Sequence, residues 1–133
     1  ANVNTVLTLD RKTSDGEILR LNKDGTTVGS ISVTASTTTY NITSDERLKE
    51  NIVDTTHTVD INDIKVRQYD WKSNGEHQRY GFIAQELEAV YPEAVFSPED
   101  PEEMKAVDYS KLVPLLVKEI QDLKAEVAAL KGA

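Results

Sequence analysis

The chain has no cysteine, so it can build neither a disulfide framework nor a thiolate metal site. Its only histidines, His57 and His77, stand far apart without ligand-type spacing, and no metal is expected. No apolar run approaches the ~20 residues that span a bilayer, and no signal peptide opens the sequence. A soluble chain with no membrane partner is the expectation. The six glycines never gather into a phosphate-binding loop, and no cofactor is expected. Basic side chains number 15 against 23 acidic ones and form no stripe. Nucleic-acid binding needs lysine and arginine to replace phosphate counterions, so it is excluded from the expected functions.

What the chain does have is an asymmetry. Its 133 residues suit one compact domain, or a small domain with an appendage. Residues 1–43 hold four basic and four acidic side chains; residues 44–133 hold 11 and 19, and so carry the entire net charge of −8. Composition therefore changes at Ser44.

Residues 1–43 read as β-structure. Asp15-Gly16 and Asp24-Gly25 are hairpin-type turn pairs, and the stretch Glu17–Lys23 between them suits one strand. A threonine-rich run, Ser36–Tyr40, follows Val28, Ile31 and Val33. β-Branched threonine suits a pleated surface but supplies little core. Such a segment cannot bury enough apolar area to stand alone, so it needs the rest of the chain or copies of itself.

The string Ser44-Asp45-Glu46-Arg47-Leu48-Lys49 follows at once. It admits two readings. Thr43-Ser44-Asp45-Glu46 matches a capping box, with Thr43 at the N-cap, Glu46 at the third helical position, and Leu48 and Ile52 on one face of the helix that follows. Alternatively, Ser44 and Lys49 form a nucleophile and base, since a serine hydroxyl attacks only when a base removes its proton. A lysine serves as that base once burial favours its neutral form. On a continuous α-helix, two residues five apart point about 140° away from each other. The pair can meet only if Ser44 lies outside the helix or if the lysine comes from another chain.

Residues 64–71 read as a strand, Ser73-Asn74-Gly75 as a turn, and Arg79–Phe82 as the returning strand. Ile83, Leu87 and Val90 then mark one face of a short helix that Pro92 should stop. Asp60-Ile61-Asn62-Asp63 lacks the glycine and distal glutamate of a calcium loop and reads as a turn. Glu86 and Glu88 read as solvated helix residues rather than a paired-carboxylate site. Residues 97–103 are an acidic loop containing two prolines.

The C-terminus, about residues 110–131, is the clearest helix. Val113, Ile120 and Val127 fall at heptad position a, and Leu116, Leu123 and Leu130 at d. Glu119 and Glu126 occupy g, while Lys124 and Lys131 occupy e. In a parallel coiled coil each g residue meets the following e residue of its neighbour, here with opposite signs. The pattern also fits an amphipathic helix packed on its own domain, but the charge placement favours self-association. Pro114 must lie near the helix start or at a kink.

Two strings carry a family resemblance. Ser44–Ile52, SDERLKENI, resembles the start of the intramolecular chaperone auto-processing domain at the C-terminus of phage tail spikes, tail fibres and neck appendages. Gly81–Leu87, GFIAQEL, followed by Tyr91-Pro92-Glu93, resembles a second motif of that family. The resemblance implies an α+β fold in three parts. Residues 1–43 would end a β-structured shaft, residues 44–133 would form a small mixed α/β chaperone domain, and the C-terminal helices of three chains would form a parallel bundle. It implies a homotrimer that registers the upstream β-structure of the same chain and then cuts itself at Ser44–Asp45. Ser44 and Lys49 would be the catalytic pair, in a single-turnover serine-type reaction. β-Branched residues at a with leucine at d favour two-stranded coils, whereas the family implies three chains. The expected setting is a virion tail or appendage precursor assembled in the host cytoplasm, with the released domain absent from the mature virion. The alternative is a noncatalytic trimeric receptor-binding tip that stays attached.

Overall fold

A computed structural model describes residues 5–56 and 59–132. The fold is α+β, as expected, and the chain divides into two compact units, Ala1–Asp54 and Thr55–Ala133. His57 lies outside the described residues.

The first unit is a three-stranded antiparallel sheet in the order β1-β2-β3: β1 Gly16–Lys23, β2 Thr26–Val33 and β3 Thr38–Ile42. Asp24 and Gly25 join β1 to β2 with φ of 48° and 80°. Two successive positive-φ residues make the tight turn whose twist matches the flanking strands. Asp15-Gly16 does not make a second hairpin. Gly16, at φ 145°, opens β1 instead, and a Cβ there would stand 2.9 Å from the Arg11 guanidinium. Arg11 donates to the carbonyls of Ser14 and Glu17, each at 2.9 Å, and so clasps the entry to the strand. Between β2 and β3 the Thr34 hydroxyl oxygen accepts from the backbone N–H groups of Ser36 and Thr37. Threonine-rich sequence thus builds a turn as well as a strand.

Register gives this sheet two unlike faces. Leu19 pairs with Ile31 and Ile31 with Tyr40; Leu21 pairs with Gly29 and Gly29 with Ile42. Residues opposite each other share a face, so these apolar side chains form one surface. On the other face Asn41 Nδ2 donates to Ser30 Oγ and Ser32 Oγ. Only Gly29 and Ser30 are buried in the sheet, and Tyr40 and Ile42 are 78% and 67% exposed.

The second unit pairs β4 Arg67–Asp70 with β5 His77–Gly81, and β6 Val95–Phe96 with β7 Ala106–Val107, each antiparallel. Helix α1 spans Ala84–Glu88 and helix α2 spans Leu112–Gly132. Leu87, Ala94 and Leu112 form the buried core, with Ile64, Phe82, Tyr91, Val95, Val107 and Leu115 packed around it. Pro92 does not merely end α1; it begins a 3-10 turn, Pro92–Ala94, that delivers Ala94 to the core. The turn at Ser73–Gly75 falls where expected, with Gly75 at φ 73°.

Gly81 is fixed by packing rather than by dihedral. A Cβ on it would lie 2.7 Å from Tyr69 Oη and 2.8 Å from the ring edge. Tyr69 is held in turn by an edge contact with Trp71, the ring centroids 5.4 Å apart. Gly81→Ala is expected to destabilise the protein by ~1–3 kcal/mol, the usual cost of overpacking. A lowered denaturant midpoint with an unchanged slope checks this.

Helix α2 starts from a 3-10 turn, Tyr109–Lys111, in which Asp108 Oδ1 caps the Ser110 N–H. Pro114 sits in its first turn, where its missing N–H costs nothing. Leu112 and Leu115 turn into the core. The heptad residues Val113, Leu116, Ile120, Leu123, Val127 and Leu130 do not, and are 40% to 77% exposed.

Candidate functional site

The expected α-helix over residues 43–52 is replaced by a single 3-10 turn, Glu46–Leu48. Thr43 is not its cap. The Thr43 hydroxyl donates to the Thr27 carbonyl at 3.1 Å and its N–H to the Val28 carbonyl at 3.3 Å, which prolongs the β2–β3 pairing. With Thr43 held in the sheet, the capping role falls to Asp45, whose Oδ1 accepts from the Arg47 N–H at 2.9 Å.

This local structure resolves the spacing problem. Asp45 and Lys49 both have extended backbone, at φ −66°, ψ 136° and φ −125°, ψ 150°. Ser44 and Lys49 therefore stand on extended segments at either end of one tight turn, outside any α-helix. Lys49 Nζ donates to Ser44 Oγ at 2.7 Å, and both residues are exposed. Asp45 is clamped by Arg47, with Nε on Oδ1 at 2.9 Å and Nη2 on Oδ2 at 2.7 Å. The Arg47 guanidinium, then its backbone N–H, and then the charge of Lys49 hold the Asp45 carboxyl below its usual range.

Glu86 and Glu88, expected to be solvated, are both paired. Arg67 makes a two-pronged contact with Glu86, at 2.9 and 2.7 Å, which ties α1 to β4 and lowers the Glu86 carboxyl. Lys105 Nζ binds both oxygens of Glu88, at 2.8 and 2.7 Å, and also Ser97 Oγ at 2.8 Å. Ser97 Oγ donates to Glu88 as well. That cluster closes the base of the acidic loop. Lys105, and then the Ser97 hydroxyl, hold the Glu88 carboxyl below its usual range, so the cluster is built as a clasp, not as a nucleophile with a free base. His77 Nδ1 lies 2.6 Å from Asp70 Oδ1, on the residue directly opposite it across the β4–β5 ladder. Asp60–Asp63 forms the expected turn, with Asp60 capping Asn62. Among the described residues no cluster of three histidines or carboxylates is placed to hold a metal ion.

The site turn and the GFIAQE segment now have fixed places: one follows β3, the other spans the end of β5 and helix α1. Residues 44–96 match the peptidase family described as the chaperone of endosialidase. The match begins at Ser44 itself and runs through the core residues Leu87 and Ala94. Both motif strings lie within it. The matched segment includes the site turn of the first unit and the β4–β5–α1 region of the second. Helix α2 and the threonine-rich sheet lie outside it. No curated protein and no solved structure matches the chain.

Proposed function

We propose that the chain ends a phage tail fibre, tail spike or neck appendage, trimerises it in register, and then releases its own chaperone domain by cleaving the Ser44–Asp45 bond. The observation that carries this reading is the 2.7 Å contact from Lys49 Nζ to Ser44 Oγ, at the first residue of the chaperone segment.

The exposed surfaces support self-association. The apolar face of the β1–β3 sheet and the heptad seam of α2 are both bare in the single chain. Interstrand structure with few local contacts gains energy only after the chains have found their register. A helical bundle formed early holds that register, with Glu119 against Lys124 and Glu126 against Lys131 of neighbouring chains. Removing the bundle afterwards leaves the β-structure kinetically trapped.

The chemistry follows from the pair. Lys49 Nζ, neutral once a neighbouring chain covers it, takes the proton of Ser44 Oγ. Attack on its own carbonyl would close a four-membered ring, so Ser44 Oγ attacks the Ser44 carbonyl carbon of a neighbouring chain. The C–N bond to Asp45 breaks, and the leaving amine takes the proton from the Lys49 ammonium. Water then hydrolyses the ester, which regenerates the serine and leaves a new carboxyl terminus. Because the pair is exposed in one chain, the base is completed only by assembly, and cleavage reports that assembly is correct.

Freshly expressed chain should run as two fragments on a denaturing gel, with Asp45 as the new N-terminus of the smaller-shaft product's partner, identified by mass spectrometry. A chain that stays whole as a stable trimer would overturn the cleavage reading and leave the noncatalytic tip.

A further inference from the structure

Lys49 has two candidate acceptors at the start of its own turn. One is the Ser44 hydroxyl, which it binds at 2.7 Å. The other is the carboxylate of Asp45, the residue after Ser44, which opens the single 3-10 turn that Lys49 closes. An ammonium offered a hydroxyl and a carboxylate takes the carboxylate, because two opposite full charges attract more strongly than a charge and a dipole. Yet here Lys49 is on the serine. The reason lies one turn along the chain. Arg47 occupies both oxygens of Asp45, with Nε on Oδ1 and Nη2 on Oδ2, and its backbone N–H adds a third donor to Oδ1. A planar guanidinium matches a carboxylate in this way and lysine does not.

We propose that Arg47 is a positioning residue for the Ser44–Lys49 pair: by saturating the Asp45 carboxylate it keeps Lys49 Nζ directed at Ser44 Oγ. The inference rests on the cleavage reading above. Arg47 itself touches neither the serine nor the scissile carbonyl. Its side chain is 88% exposed, so the clamp is a surface device that burial by a neighbouring chain would strengthen. Without it, the Asp45 carboxylate draws the ammonium away. The lysine then no longer faces Ser44 Oγ, and the serine loses its base.

The test follows cleavage over time, by gel and mass spectrometry, in the full chain. Wild type, Ser44→Ala, Arg47→Ala, Asp45→Asn and the Arg47→Ala/Asp45→Asn double variant are compared, with light scattering to confirm equal assembly. Asparagine keeps the capping oxygen but has no negative charge to draw the ammonium. Arg47→Ala is expected to cleave about fivefold more slowly than wild type, the scale of an exposed ion pair. The double variant should cleave faster than Arg47→Ala, although it carries one more substitution beside the scissile bond. A merely structural arginine would show no such rescue. Arg47→Ala cleaving at the wild-type rate, or a double variant no faster than Arg47→Ala, overturns the inference and leaves the cleavage reading standing. Wild type that never splits sinks both.

Discussion

Ser44→Ala chain is expected to fold, assemble and remain whole. Ser44 is exposed, and its side chain accepts a hydrogen bond from Lys49 without filling any part of the core. The cap of the turn belongs to Asp45 and the sheet contact to Thr43, so neither is lost. Surface changes of this kind shift stability by about 0.5 kcal/mol or less. Loss of a nucleophile, in contrast, lowers the rate by ~10³-fold or more, which on a gel means no visible product. Lys49→Ala should behave in the same way. Lys49→Arg is the sharper variant. A guanidinium can still donate to Ser44 Oγ, but it stays charged and cannot take the proton. If Lys49 is the base, the arginine variant is as inactive as alanine; if the ammonium only orients the serine, the arginine variant cleaves. A Ser44→Ala chain that still splits at position 44 would remove Ser44 from the role of nucleophile.

The parts of the fold that were legible in the sequence are those set by local chemistry. Asp24-Gly25 demanded its turn because two positive-φ residues have few substitutes. Helix α2 announced itself through six heptad positions and a proline that its first turn tolerates. Asp60–Asp63 was legible as a turn because aspartate caps its own backbone two residues on.

What was not legible depended on distant partners. The capping box at Thr43 is a sound local pattern, but Thr27, 16 residues earlier, captures the Thr43 hydroxyl and the box never forms. Glu86 and Glu88 looked solvated because their cations lie 19 and 17 residues away, on β4 and beyond the acidic loop. The Ser44–Lys49 contact sat between these cases. Both residues stood out by type and spacing, yet α-helical geometry argued against their meeting. A 3-10 turn with extended flanks brings them together, and sequence does not announce one tight turn where an α-helix would also fit. Arg47 stood in plain view beside Asp45; an arginine two residues after a capping aspartate was the available signal.

Replacing Ile120 and Leu123 together by aspartate is expected to abolish assembly and, with it, cleavage. In the single chain these side chains are 57% and 60% exposed, so the substitutions leave the Leu87–Ala94–Leu112 core untouched. The folded protomer should lose only the modest helix propensity of two aspartates, at most ~0.7 kcal/mol each. In a parallel bundle the same positions face their own copies across the seam. Every chain would then bury unpaired carboxylates, at several kcal/mol per ion, enough to disperse a helix of three heptads. Gln121→Asp with Ala125→Asp adds the same charge on positions b and f, away from the seam, and is the matched control. Light scattering should report a monomer for the seam variant and the wild-type mass for the control. The gel should show cleavage lost in the first and kept in the second. Neither seam residue lies near Ser44 in sequence, so the loss would have to travel through assembly. A monomeric seam variant that still cleaves at the wild-type rate would confine the reaction to one chain and end the idea that cutting certifies the trimer.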